Sequence, residues 1–122
     1  MKKEKLTKEI IFKTRVIPGV QRGRVLGFPT ANLIKKNLDI SYGVYLVEVK
    51  INQKKHQGLL HFGYKKTFSE GLSIEIFIKD FSANLYNKEI EVRVIKKIRE
   101  IKKFSSPEKL KNQIKKDIKI TT

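Results

Sequence analysis

The chain has 122 residues, with Lys and Arg at 28, Asp and Glu at 12 and a formal charge of +16, which predicts a single domain over 1–122 and argues against a two-domain enzyme. Leu, Ile, Val and Phe supply 41 residues, about a third, enough for a charged chain to collapse around a core. Cysteine is absent, so a disulfide frame, Cys-ligated zinc and a thiol nucleophile are excluded.

The charge invites a nucleic-acid reading. Its make-up argues the other way: 23 of the basic residues are Lys and only 5 are Arg, and Arg is the residue that reads bases and grips phosphate bidentately. Nucleic acid is therefore not the expected partner. Residues 1–8, with Lys2, Lys3, Lys5 and Lys8, read as a flexible basic start without the apolar stretch of a signal peptide. No run approaches membrane-spanning length, so the expectation is a cytoplasmic chain with no membrane partner, and it is taken as a monomer.

In chain order, the β-branched run Ile10 to Val16 predicts a strand that breaks at Ile17-Pro18-Gly19 into a long loop with Gly23, Gly27 and Pro29. Between Gly43 and Ile51, Tyr45, Val47, Val49 and Ile51 share one face while Glu48 and Lys50 take the other, a period of two that predicts a strand. Asn52-Gln53-Lys54 predicts a hairpin turn, with a return strand from Gln57 to Phe62 and a second loop from Gly63 to Gly71. Leu72 to Lys79 alternates again, with Ile74, Ile76 and Ile78 opposite Ser73, Glu75, Phe77 and Lys79. After a turn near Asn84 to Lys88, Ile90, Val92 and Val94 alternate with Glu91, Arg93 and Ile95, which completes a meander suited to a small antiparallel barrel or sandwich. Leu110, Ile114 and Ile118 then recur every four residues, and Ser106 before Pro107, with Glu108 in the first turn, marks a helix from Pro107 to Ile118. The ten basic and three acidic residues of 96–119 read as the solvated face of a strand and this helix.

Three stretches carry candidate chemistry. The glycines at 19, 23 and 27, with Arg22 and Arg24 between them, let backbone approach an anion and aim N–H groups at it, although neither GxxxxGK[ST] nor GxGxxG is present. A glycine-rich turn with solvated arginines accounts for the same spacing. Thr30 and Asn32 place a hydroxyl and an amide two residues apart after Pro29, a pair able to reach a hard cation such as magnesium, or simply to bond their own backbone. Glu75 is a carboxylate within an apolar strand. It can serve as a base if partly desolvated, or face water from the exposed side of a sheet. His56 and His61 do not have the spacing of a metal pair and read as structural or exposed.

Gly23-Arg24-Val25-Leu26-Gly27-Phe28-Pro29-Thr30-Ala31-Asn32-Leu33 resembles the GR-x-LGFPTAN signature of the riboflavin kinase (flavokinase) family. Gly43-Val44-Tyr45, Phe62-Gly63 with Thr67-Phe68, Ile74-Glu75-Ile76 ahead of Asp80-Phe81, Leu85-Tyr86, Ile98-Arg99-Glu100, Lys103-Phe104-Ser105, and Leu110, Gln113, Ile114 and Asp117 follow in the family's order. The likeness runs from Phe12 to Asp117. It implies a mainly β fold, a six-stranded antiparallel Greek-key barrel with a C-terminal α-helix, and transfer of the γ-phosphate of ATP to the 5′-hydroxyl of riboflavin to give FMN. It further implies that Thr30 and Asn32 hold Mg2+ with the nucleotide and that the loop of Gly19, Arg22, Gly23 and Arg24 covers the phosphates. Glu75 would be the general base, and the flavin would lie near Arg99 and Phe104. Two departures touch one loop: His61-Phe62 stands where the family usually has Asn or Ser with Ile, and Lys66 where proline often precedes the Thr67 position. No HxGH motif is present, so FAD synthesis is not expected. The alternative is a non-catalytic flavin-binding or regulatory module derived from the same fold, able to bind RNA through its basic surface. An OB-type nucleic-acid barrel fits less well, since there is no Trp and the Phe and Tyr residues are scattered.

Overall fold

A strand buries every second side chain, and each alternating run of the sequence forms one. The computed structural model describes residues 4–17, 31–35, 37–64, 72–79, 85–102 and 105–120, without the side chains of 4–8, 64, 107 and 110. These residues form β1 (Glu4–Ile17), β2 (Ala31–Leu33), β3 (Gly43–Ile51), β4 (Lys54–Tyr64), β5 (Leu72–Ile78), β6 (Glu89–Arg99) and a helix, α1 (Pro107–Lys119). The strands close into a barrel in the order β1-β2-β5-β4-β3-β6, and every neighbouring pair is antiparallel. β3, β4 and β5 are consecutive neighbours and β6 returns to lie beside β3, which makes the connection a Greek key. The expected fold is the one observed.

The inward faces are those the alternation predicts. Tyr45, Val47 and Val49 of β3, Ile74, Ile76 and Ile78 of β5, and Ile90, Val92 and Val94 of β6 are all buried in one cluster. A second cluster lies outside the barrel wall: Val44, Leu46, Leu59 and Ile98 are buried there with Phe77, Ile118 and Ile120 packed against them. Helix α1 therefore covers one outer patch of the barrel. Its N-terminus is built as the sequence predicts, with the Ser106 hydroxyl accepting from the Lys109 N–H at 3.2 Å and proline in the first turn.

Four differences follow from pairing. β1 starts at Glu4, not Ile10, because the basic start continues the ladder, Glu4 and Lys5 lying opposite Lys97 and Lys96 across an irregularity before Ile10. β2 was not anticipated; it occupies the end of what reads as loop. The hairpin turn is Asn52-Gln53 alone, both at positive φ (49° and 69°), the twist-matching geometry of a two-residue turn. The 96–119 stretch is solvated only in part: Lys97 and Asp117 are 5% and 3% exposed, while Lys102, Lys109, Lys111, Lys115, Lys116 and Lys119 are exposed.

Candidate active site

β2 is short, but its three residues alternate. Ala31 and Leu33 pack on the barrel core, so Asn32 projects to the outer face. Ile74 and Ile76 are fully buried inside, so Glu75 also projects outward. Register then brings the two together: Asn32 lies directly opposite Glu75 across β2 and β5, and Glu75 lies directly opposite His61 across β5 and β4. The row continues through Val44, opposite His61, to Arg99, opposite Val44. Directly opposed residues of antiparallel strands share a face, with Cβ atoms about 5 Å apart. Asn32, Glu75 and His61 are therefore consecutive side chains on one outward row.

Asn32 is only 6% exposed, and its Oδ1 is buried with no hydrogen-bond partner among the described residues. Buried acceptors are almost always paired, so an oxygen left available in this position suits a ligand that brings its own donor or positive charge. Glu75 is half-buried. Among the described residues no group of three or more His, Asp or Glu side chains could hold a metal ion. A cation here would take a neutral amide oxygen and oxygens of its ligand, the donor set expected of magnesium on a nucleotide.

Arg99 is committed. Its Nε donates to both carboxylate oxygens of Asp117 at 3.0 Å and its Nη2 to Oδ2 at 2.8 Å, while Nη1 donates to the Glu100 carbonyl at 3.0 Å. Gln113 Nε2 adds a bond to Asp117 Oδ1 at 2.9 Å. This buried pair fastens α1 to the end of β6.

A second buried cation was not singled out in the sequence. Lys97 Nζ donates to Ser41 Oγ at 3.0 Å and to Glu100 Oε1 at 2.7 Å, and the Tyr45 hydroxyl donates to the Ser41 carbonyl at 2.6 Å. Gly43 makes room for it, since a Cβ there would lie 2.5 Å from Lys97 Cε. The signal that marks this site is the pairing of Lys97 with the glycine-led start of β3, which a lysine run conceals. The described residues also form an open cleft of about 520 Å3 lined by Phe12, Lys35, Leu38 and Asp39 among others, none of them in the row.

Of the expected site residues, Asn32, Glu75 and Arg99 lie on this face. Gly19, Arg22, Gly23, Arg24, Thr30 and Phe104 lie outside the described residues.

A family model for riboflavin kinase matches residues 6–122. The chain is 44% identical over 105 residues to the RNA-binding riboflavin kinase RibR of Bacillus subtilis, covering 84% of this chain and 46% of that protein. It is 42% identical over 111 residues to the bifunctional riboflavin kinase/FMN adenylyltransferase of Buchnera aphidicola subsp. Schizaphis graminum, covering 87% of this chain and 36% of that one. The chain thus spans less than half the length of these relatives. A solved structure from Streptococcus pneumoniae, described as a macrolide-efflux protein, superposes with a TM-score of 0.81 at 32% identity over 91% of this chain and 38% of its own. The riboflavin kinase of Trypanosoma brucei superposes with a TM-score of 0.61 at 22% identity over 93% and 78%; that likeness bears on the fold.

Proposed function

This chain belongs to the riboflavin kinase family, and from that premise we propose that it transfers the γ-phosphate of ATP to the 5′-hydroxyl of riboflavin, producing FMN and ADP. The observation that carries the reading is the direct opposition of Glu75 and Asn32, whose buried oxygen has no partner among the described residues. Phosphoryl transfer asks a protein for in-line positioning, charge neutralisation and orientation of the attacking hydroxyl. Glu75 accepts the proton of the 5′-hydroxyl as its oxygen bonds to the γ-phosphorus and the bond to the β-phosphate oxygen breaks. Asn32, with Thr30, holds the nucleotide and its Mg2+. Magnesium, when bound, neutralises the charge that develops on the phosphate oxygens. Gly19, Arg22, Gly23 and Arg24 cover the phosphates and exclude water. The flavin lies on the side of Arg99 and Phe104, where Arg99 contributes by fixing the end of β6 to α1, its guanidinium being bonded to Asp117.

A rigid mount for Glu75 follows from the fold: β5 is paired on both edges, so the carboxylate sits on a wall held from two sides. The test is formation of FMN from riboflavin with ATP and magnesium, products being separated by chromatography. Glu75→Gln keeps riboflavin binding and lowers turnover by about 10²- to 10⁴-fold, the usual contribution of a positioned base. Full turnover in that variant would overturn the assignment.

A second reading, a flavin-binding module acting on RNA, draws on the name of the Bacillus subtilis relative and on the exposed lysines of α1 at 109, 111, 115, 116 and 119. It predicts flavin binding without phosphate transfer, together with salt-sensitive RNA binding. The kinase reading takes the chain as a cytoplasmic monomer; among the described residues no helix is long and apolar enough to cross a membrane.

A further inference from the structure

The row that joins Asn32 to Glu75 has a third polar member. His61 lies directly opposite Glu75 on the other side, across β4 and β5. Its ring is half-buried, and Nδ1 is enclosed and makes no hydrogen bond among the described residues, so the N–H that bonds a neighbour is the one on Nε2. The strand register identifies its surroundings on the outer face. Val44 lies opposite on β3, Leu59 and Gly63 lie two residues away along β4, and Ser73 and Phe77 flank Glu75 along β5. Val44, Leu59 and Phe77 belong to the apolar patch under α1. An imidazole at the edge of an apolar patch must satisfy an N–H, because a buried donor left unpaired costs more than the bond it would make. Within this neighbourhood the strongest acceptor is the carboxylate of Glu75, and an imidazole donates an N–H in its neutral form as well as in its charged one.

We propose that His61 is a positioning residue for phosphoryl transfer, holding the Glu75 carboxylate by an imidazole N–H at the orientation in which it takes the hydroxyl proton. The proposal rests on the reading of Glu75 as the base. A long carboxylate side chain on an open sheet face samples several rotamers, and misplacing a catalytic group by an ångström is worth up to about a hundredfold in rate. A donor on the adjacent strand removes that freedom on the side opposite Asn32. The base would thus be fixed from one flank and the nucleotide site placed on the other.

The test compares His61→Leu, which keeps apolar bulk and removes the donor, with His61→Gln, which keeps an N–H near the position of Nε2. His61→Leu is expected to lower kcat ten- to a hundredfold with KM for riboflavin and for ATP within about twofold, and His61→Gln to retain kcat within about threefold. A purely structural role gives the opposite order, with Leu tolerated against the apolar patch and Gln not. Wild-type kcat in His61→Leu, or equal losses in both variants, overturns the proposal. If His61→Leu does not fold, as judged by its thermal melt, His61→Ala is compared with His61→Gln by the same readings. Glu75→Gln is measured in parallel. If it is fully active, the base reading fails and the proposal with it; if it is inactive while His61→Leu is unimpaired, the positioning role alone fails. Adding His61→Leu to Glu75→Gln is expected to lower kcat no further, as befits a residue that acts through Glu75.

Discussion

A buried amide oxygen without a partner costs about 1–3 kcal/mol, and Asn32 Oδ1, on a strand of three residues, has none among the described residues. Leucine has nearly the shape of asparagine and no polar atoms. Asn32→Leu is therefore expected to leave the melting temperature unchanged or raise it, by up to about 1 kcal/mol of stability, while FMN formation falls and KM for ATP rises. A thermal melt beside the turnover assay checks both; a large drop in stability would show that the oxygen is engaged in the fold. Asn32 and Glu75 stood out in the sequence as candidates, because an amide after Phe-Pro-Thr-Ala and a carboxylate between isoleucines are local patterns. Their adjacency was not legible. It depends on β2, whose three residues are too few to show a period, and on a register set by strands far apart in the chain. His61 escaped for the same reason, its meaning lying in the residue opposite on β5 rather than in its spacing from His56.

The helix and the barrel meet at a few groups, among them the buried Arg99–Asp117 pair, with side chains 9% and 5% exposed. Removing one partner of a buried pair leaves the other charge uncompensated, at about 3–5 kcal/mol. Asp117→Ala is expected to cost that much in urea denaturation, and Arg99→Met in the same background to recover part of it, since the double variant buries no lone charge. A loss under 1 kcal/mol for Asp117→Ala would mean that the apolar contacts of Ile118 and Ile120 alone hold α1. The helix itself was readable from Ser106, Pro107 and the four-residue recurrence of Leu110, Ile114 and Ile118. What it covers was not. Val44 and Leu46 fall on the side of β3 that the period of two assigns to solvent, and they are buried with Leu59 and Ile98 in a patch against which Ile118 of the docked helix packs. Lys97 belongs to the same class: in a run of lysines it looks solvated, and the ladder carries it inside against Gly43 and Ser41.

At the scale of the whole molecule, +16 is carried by a barrel whose accessible surface is 7912 Å2. Among the described residues the ion pairs are few. Two of them, Lys97–Glu100 and Arg99–Asp117, have a buried cation, while those of Arg93 with Glu9 and of Lys55 with Glu48 involve exposed basic side chains and contribute little. Most of the lysines have no carboxylate to offset them, because basic residues outnumber acidic ones by more than two to one. Folding brings these like charges closer than they stand in the expanded chain, so self-repulsion opposes the compact state. Salt shortens the reach of that repulsion from about 30 Å at 0.01 M to about 8 Å at 0.15 M, whereas the buried pairs are screened far less. The sign is therefore fixed. Raising sodium chloride from about 0.01 to about 0.15 M is expected to raise the melting temperature by a few degrees, the equivalent of about 1 kcal/mol for a chain of this size. If the melting temperature falls instead, surface ion pairs outweigh repulsion and the excess lysine is arranged in compensated networks. A rise with sodium chloride, matched at equal ionic strength by other monovalent salts, identifies the charge as a general field over the surface rather than a set of specific ion sites.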